Sequence, residues 1–133
     1  MLREFLNPAE AAPPIGPYSH VVRINLGTAD LLVVSGQLAT DLENPDIVAQ
    51  TRGALEQVRL VLEGVGASLA DVIKVTTFLT ELGGREELRA TRREAFPTDL
   101  PASTTVQVAG LMDPRAKVEV EVLAVIPRAA QAS

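Results

Sequence analysis

The chain has 133 residues and 14.1 kDa, is 47% hydrophobic, and carries a net charge of −5 with a pI near 4.8. That is one domain with enough apolar content for a core, and it has no run of roughly eighteen apolar residues that could span a membrane. With no cysteine, disulfides, thiolate metal sites and a cysteine nucleophile are excluded, and one histidine, His20, makes no histidine-rich metal site.

The acidic balance argues against general nucleic-acid binding, which depends on neutralising phosphates. The N-terminal Met1–Pro8 stretch lacks the apolar segment of a secretory signal, so a cytoplasmic protein is expected.

In chain order, a weak strand is expected near Arg3–Leu6. Residues 10–19 hold three prolines and a glycine, a composition that makes an irregular loop. Short strands over Val21–Asn25 and Leu31–Gln37 flank Gly27–Asp30 and predict a hairpin. Asn44 and Pro45 read as N-cap and first residue of a long amphipathic helix marked by Ile47, Thr51, Leu55, Val58, Val61, Leu62 and Val65, stopped by Gly64 or Gly66. Val72–Thr80, rich in β-branched residues, predicts a central strand. After Gly83 and Gly84 a short charged helix runs over Arg85–Ala95 and ends before Pro97.

Pro101–Ile126 predicts two further strands joined by a loop, and 127–133 a frayed tail on a single domain spanning 1–133. In the last strand, alternation puts Val118, Val120, Val122, Ala124 and Ile126 on one face and Lys117, Glu119 and Glu121 on the other. Two carboxylates on one pleat of an apolar strand fit either a solvated edge or a cleft containing a carboxylate.

Only two helices are available, enough to cover one sheet face. The other is expected to present Lys74, Thr76, Ser103, Thr105, Gln107, Glu119 and Glu121. That set is too polar for a monomer core, and burial against copies of the chain is the economical solution.

Ala12–Ser19, Ser35–Gln37, the helix with Gln50 and Leu55, Val72–Leu79, Pro101–Ala102 with Val106–Ala109, and Val118–Glu121 together resemble, in collinear order, the Rid family of reactive-intermediate deaminases, also called endoribonuclease L-PSP. The resemblance implies a chorismate-mutase-like α+β fold, with two helices on one face of a sheet. It also implies a homotrimer that forms a central barrel with ligand clefts between subunits. Active members hydrolyse imines without a cofactor or metal.

Carried over by position, Glu119 is the expected catalytic glutamate that orients or protonates water, and Tyr18, Ser35 and Gly36 line the cleft. The family's carboxylate-binding arginine does not carry over, because Ser103 occupies its place in Pro101–Thr105, and a frequent asparagine of the second helix is Arg89 here. Thr105 shares the strand face of Ser103 and could hold water or ligand.

A carboxylate raised by apolar neighbours and by Glu121 could place water and shuttle the proton that imine hydrolysis requires. A charge-assisted hydrogen bond is worth roughly 1.5–3 kcal/mol, so losing the arginine weakens a carboxylate ligand by about one to two decades. Arg89 could restore the charge from another direction, or lie on a solvated helix face with Arg85, Arg92 and Arg93. Tyr18 could equally pack its own loop, Ser35 and Gly36 could form a bulge, and His20 reads as structural or exposed.

Two functions therefore stand: a trimeric hydrolase of an imine or enamine that need not be a small 2-imino acid, and a catalytically silent trimer that binds small metabolites or a partner protein in the same cleft. Ribonuclease activity, from the family's older name, fits the acidic pI least.

Overall fold

The structure, a computed structural model, describes residues 2–128. Strands β1 (Arg3–Leu6), β2 (Val21–Asn25) and β3 (Ala29–Gln37) precede helix α1 (Ile47–Gly64). Then come a single 3₁₀ turn at Leu69–Asp71, β4 (Val72–Leu79), α2 (Arg85–Ala95), β5 (Ala102–Gln107) and β6 (Val118–Pro127). They form one six-stranded sheet in the order β1-β2-β3-β6-β4-β5. All neighbours are antiparallel except β4 and β5, whose parallel pairing follows from the α2 crossover between them.

The alternation of β6 holds along its length. Val118, Val120, Val122, Ala124 and Ile126 are buried, and α1 covers them with Ala54, Leu55, Val58, Val61 and Leu62. Burying this one face supplies the main driving force for folding. Helix α1 ends where glycine permits a left-handed residue: Gly66 has φ +83°, its N–H donates to Glu63 O, and the Ala67 N–H donates to Leu62 O, a paired closure of the last carbonyls. Gly64 serves close approach instead, because a Cβ there would overlap Pro8.

Several expectations are corrected. Helix α1 is capped by Asp46, whose carboxylate accepts from the Ala49 N–H, while Asn44 accepts from the Asp46 N–H one turn earlier. The two strands expected over Pro101–Ile126 are present as β5 and β6, with β4 between them in the sheet. The tail does not begin at residue 127: Pro127 closes β6, the Arg128 N–H donates to Thr28 O, and its guanidinium bonds Asp30. The rest of the expected tail, 129–133, lies outside the described residues.

The largest correction concerns β5. Ser103, Thr105 and Gln107 register with Val75, Thr77 and Leu79 on the helix-covered face, whereas Thr104 joins Lys74, Thr76, Glu119 and Glu121 on the open one. The Lys74 ammonium donates to the Thr104 hydroxyl at 2.5 Å, and the Arg92 guanidinium donates to Thr105 from the other side. The open face is also less polar than expected. By register it carries Val22, Ile24, Leu31, Val33, Leu123 and Val125 across its β2-β3-β6 half, and neither helix covers them.

Candidate functional site

Glu119 stands on the open face of β6. Burial pushes its carboxyl above the usual range, and the like charge of Glu121 pushes it further in the same direction. No cation pairs with it among the described residues. Its neighbour on β3 is an irregularity: Val34 opposes Val122, but Gln37 opposes Val120, so Ser35 and Gly36 contain one residue too many for the ladder. That extra residue makes a bulge. A Cβ on Gly36 would come within 2.7 Å of Glu119 Cδ and 2.9 Å of its Cγ, so the missing side chain provides the space the glutamate occupies.

The proline-rich loop is fastened beside this bulge. The Ser35 hydroxyl donates to Ser19 O at 2.6 Å, and the Ala12 N–H donates to Gln57 Oε1 at 3.1 Å. His20 is buried, with Nε2 2.5 Å from Ala12 O and Nδ1 3.1 Å from Gln37 Nε2. A carbonyl only accepts, so Nε2 carries the proton and Nδ1 accepts from Gln37. His20 is thus a structural fastener. Tyr18 folds back over its own loop. Its hydroxyl accepts from the Ile15 N–H at 3.3 Å, and its ring meets His20 edge-on with centroids 6.4 Å apart.

On the other side of the sheet, α2 and the sheet enclose a cavity of about 360 Å³. Val75, Leu79, Val120, Leu55 and Phe96 supply apolar walls, Thr77 and Thr105 supply hydroxyls, and Arg85, Arg89 and Arg92 are the only charged side chains on its lining among the described residues. Arg92 is half-buried, and its Nη2 donates to Thr105 Oγ1 at 3.0 Å and, at 3.4 Å, to Thr77 Oγ1. Burial lowers the pKa of this guanidinium, and no carboxylate pairs with it among the described residues. Arg89 stands at the mouth, exposed and bonded to Glu86 at 3.1 Å.

The expected site residues therefore separate into two groups. Glu119, Ser35 and Gly36 meet at the β3 bulge, Tyr18 packs within its own loop, which Ser35 fastens through Ser19 O, and Arg89 and Thr105 line the cavity on the other side of the sheet. Ser103 shares the Thr105 face of β5 without lining the cavity. Sequence reasoning missed Arg92 and the two fastening glutamines, Gln37 and Gln57. The available signal for Arg92 was the spacing of Arg85, Arg89 and Arg92, which puts them on one side of a helix. Among the described residues no cluster of three or more His, Cys, Asp or Glu side chains could hold a metal ion, and no helix is long and apolar enough to cross a membrane.

Two helices on one face of a mixed sheet, with a raised carboxylate on the uncovered face, define an α+β domain of the L-PSP type. The chain belongs to that family: the model Endoribonuclease L-PSP matches residues 9–126. It is 34% identical over 126 residues to the 3-aminoacrylate deaminase RutC of Acinetobacter baylyi, covering 90% of this chain and 95% of that one. It is 36% identical over 125 residues to the 2-iminobutanoate/2-iminopropanoate deaminase of Salmonella typhimurium, covering 87% and 93%.

Among solved structures it superposes on YyfA of the Rid family from Yersinia pestis with TM-score 0.83, 30% identity and coverage of 93% and 99%. E. coli TdcF with bound serine gives TM-score 0.78 at 28% identity, covering 92% and 98%.

Proposed function

We propose that the protein is a cytoplasmic, cofactor-independent hydrolase of a reactive imine or enamine, working in clefts between the subunits of a homotrimer. The observation that carries this reading is Glu119, a carboxyl raised by burial and paired with no cation among the described residues, seated over a glycine that makes room for it. The family supports the reaction class, since two relatives are named as deaminases of 3-aminoacrylate and of 2-imino acids.

The chemistry asks little of the protein. A protonated C=N carbon takes a water molecule while Glu119, ionised, accepts one water proton. The resulting carbinolamine receives that proton on nitrogen, the C–N bond breaks with its electron pair leaving on ammonia, and the hydroxyl oxygen becomes the carbonyl after losing its proton. One water is consumed, one ammonia leaves, and no electrons change hands. A carboxyl whose pKa is raised by burial suits the shuttle because it is a stronger base than an ordinary carboxylate and can return the proton it takes.

The sheet separates Glu119 from Thr105 and Ser103 within one chain, so a pocket touching all of them needs the open face of one copy against the β5 edge of the next. Two features favour such an assembly: the uncovered apolar patch of Val22, Ile24, Leu31, Val33, Leu123 and Val125, and the fully exposed β5. A single observation favours a second reading, a silent binding protein of the same fold: Ser103 stands where the carboxylate-binding arginine is expected.

Ammonia release from freshly generated imines, with and without a carboxylate, separates the two. Turnover by wild type that is lost in Glu119→Gln supports the hydrolase. No turnover by wild type, with activity on 2-imino acids appearing only in Ser103→Arg, would establish the silent cleft.

A further inference from the structure

The arginine cavity holds charge without any acid to match it. Arg85, Arg89 and Arg92 come from successive turns of α2, no Asp or Glu lines the space, and the walls beneath are aliphatic or aromatic. Arg89 is the wrong member to bind a ligand strongly, because it is exposed and already paired with Glu86. Arg92 is the opposite case. Its guanidinium is half-buried, is held by the neutral hydroxyls of Thr77 and Thr105, and keeps donors for a planar anion that could fork across it.

A half-buried guanidinium with no anion loses part of its hydration without recovering a charge partner. Stability alone gives no reason to retain one where a leucine would fill an apolar cavity.

We infer that Arg92 is the anion receptor of this site, replacing from α2 the guanidinium that Ser103 lacks on β5, and that the ligand is a carboxylate with an apolar body filling the cavity. This inference rests on the imine-hydrolase reading only for placing the ligand's reactive carbon near Glu119. The carboxylate binding itself stands on the cavity.

The cavity also sets a preference for ligand size. A carboxylate held at Arg92 lays its body against Leu55, Val75, Leu79, Phe96 and Val120. Longer, branched or aromatic acids cover more of that apolar wall than small ones and bind more tightly for it. Arg89 and Arg85 at the mouth guide the anion inward, a long-range effect that salt screens.

The test is equilibrium binding, which does not require turnover. Calorimetry would compare 4-methyl-2-oxopentanoate, its uncharged methyl ester and pyruvate on wild type, Arg92→Met, Arg92→Lys and Arg89→Met, each first shown to be folded with the wild-type oligomeric state. Wild type should bind the branched acid more tightly than either the ester or pyruvate. Arg92→Met should weaken the acid by about ten- to a hundredfold and leave the ester unchanged. Arg92→Lys should recover part of the loss, as a point charge without the fork. Arg89→Met should cost less than about threefold, the scale of an exposed pair.

Equal binding of the acid by Arg92→Met and wild type, a larger loss in Arg89→Met, or no binding of the acid by wild type would overturn the inference. Its failure is distinguishable from that of the hydrolase reading through Glu119→Gln. Binding that depends on Arg92 while neither wild type nor Glu119→Gln releases ammonia from the matching imine would sink the hydrolase alone. Turnover that depends on Glu119 but not on Arg92 would sink the receptor alone.

Discussion

Gly36 and Glu119 occupy the same space. A side chain on the first would begin 2.7 Å from the carboxyl carbon of the second, so the bulge of β3 and the glutamate of β6 form a single local design. The glutamate is then half-buried against backbone, which raises its pKa, and remains on the open face where a ligand can reach it.

Gly36→Ala should therefore act on function through Glu119. The added methyl forces the carboxylate aside, lowering turnover by at least about tenfold, and overpacking costs about 1–3 kcal/mol. In a Glu119→Ala background the stability cost should largely vanish, because the obstructing atoms are gone. Urea denaturation of the four proteins of this cycle measures the coupling. Fully additive losses would show that the glycine serves the bulge alone.

Glu119→Gln should reduce turnover by at least about a hundredfold, the scale of a lost proton shuttle, yet raise the melting temperature at neutral pH. The folded state holds the Glu119 proton more tightly than the unfolded chain, whose value is near 4.5. Ionising this group thus costs stability as pH rises from 4.5 through the elevated folded value. The variant's advantage should appear over that interval and disappear below it. Thermal melts of both proteins from pH 4 to 8 check the direction, and a variant less stable than wild type at pH 7 would contradict it.

Asp30 behaves in the opposite sense. It is wholly buried and takes hydrogen bonds from Arg128 and Arg23, each at 2.7 Å. The bond from Arg128 does most to lower its pKa, burial opposes it, and Arg23 adds to the lowering. A depressed carboxylate stabilises the fold at pH values above the unfolded value of 3.8, and this contribution is lost as pH falls through the folded value. Asp30→Asn should cost about 3–5 kcal/mol at pH 7, as for a buried pair deprived of one partner, and less at pH 3. Ending the chain at Pro127 should also destabilise, because it removes Arg128. Urea unfolding at both pH values measures each effect.

Much of this arrangement was legible in the residues. The run Val118–Ile126 announces its buried face because every second residue is aliphatic, and Glu119 beside Glu121 announces a carboxyl under pressure. What failed was non-local. Nothing in Ala102–Gln107 distinguishes its two faces, since threonine, serine and glutamine alternate with little apolar contrast. Which side Thr105 takes is set by the parallel register with β4, a partner in another part of the chain.

The helix cap was misplaced for a smaller reason: Asn44, Pro45 and Asp46 offer two capping side chains, and the first is used on the Asp46 N–H. Arg92 was hidden because arginines in a charged helix look like solvent-facing residues. The cavity behind them exists only once α2 is laid across β4 and β5.

We propose that each site is assembled from two copies, with Glu119 from one and the Thr105 side of β5 from another. Mixing by co-refolding two inactive variants, Glu119→Gln and Thr105→Phe, tests it most directly, because some sites in mixed trimers would then pair an intact glutamate with an intact cavity. With random assembly, about a quarter of sites should be intact, and ammonia release should recover to roughly that fraction of wild type. Activity no higher than the sum of the separate variants, in trimers shown to be mixed, would contradict a shared site and return all of these residues to a single chain.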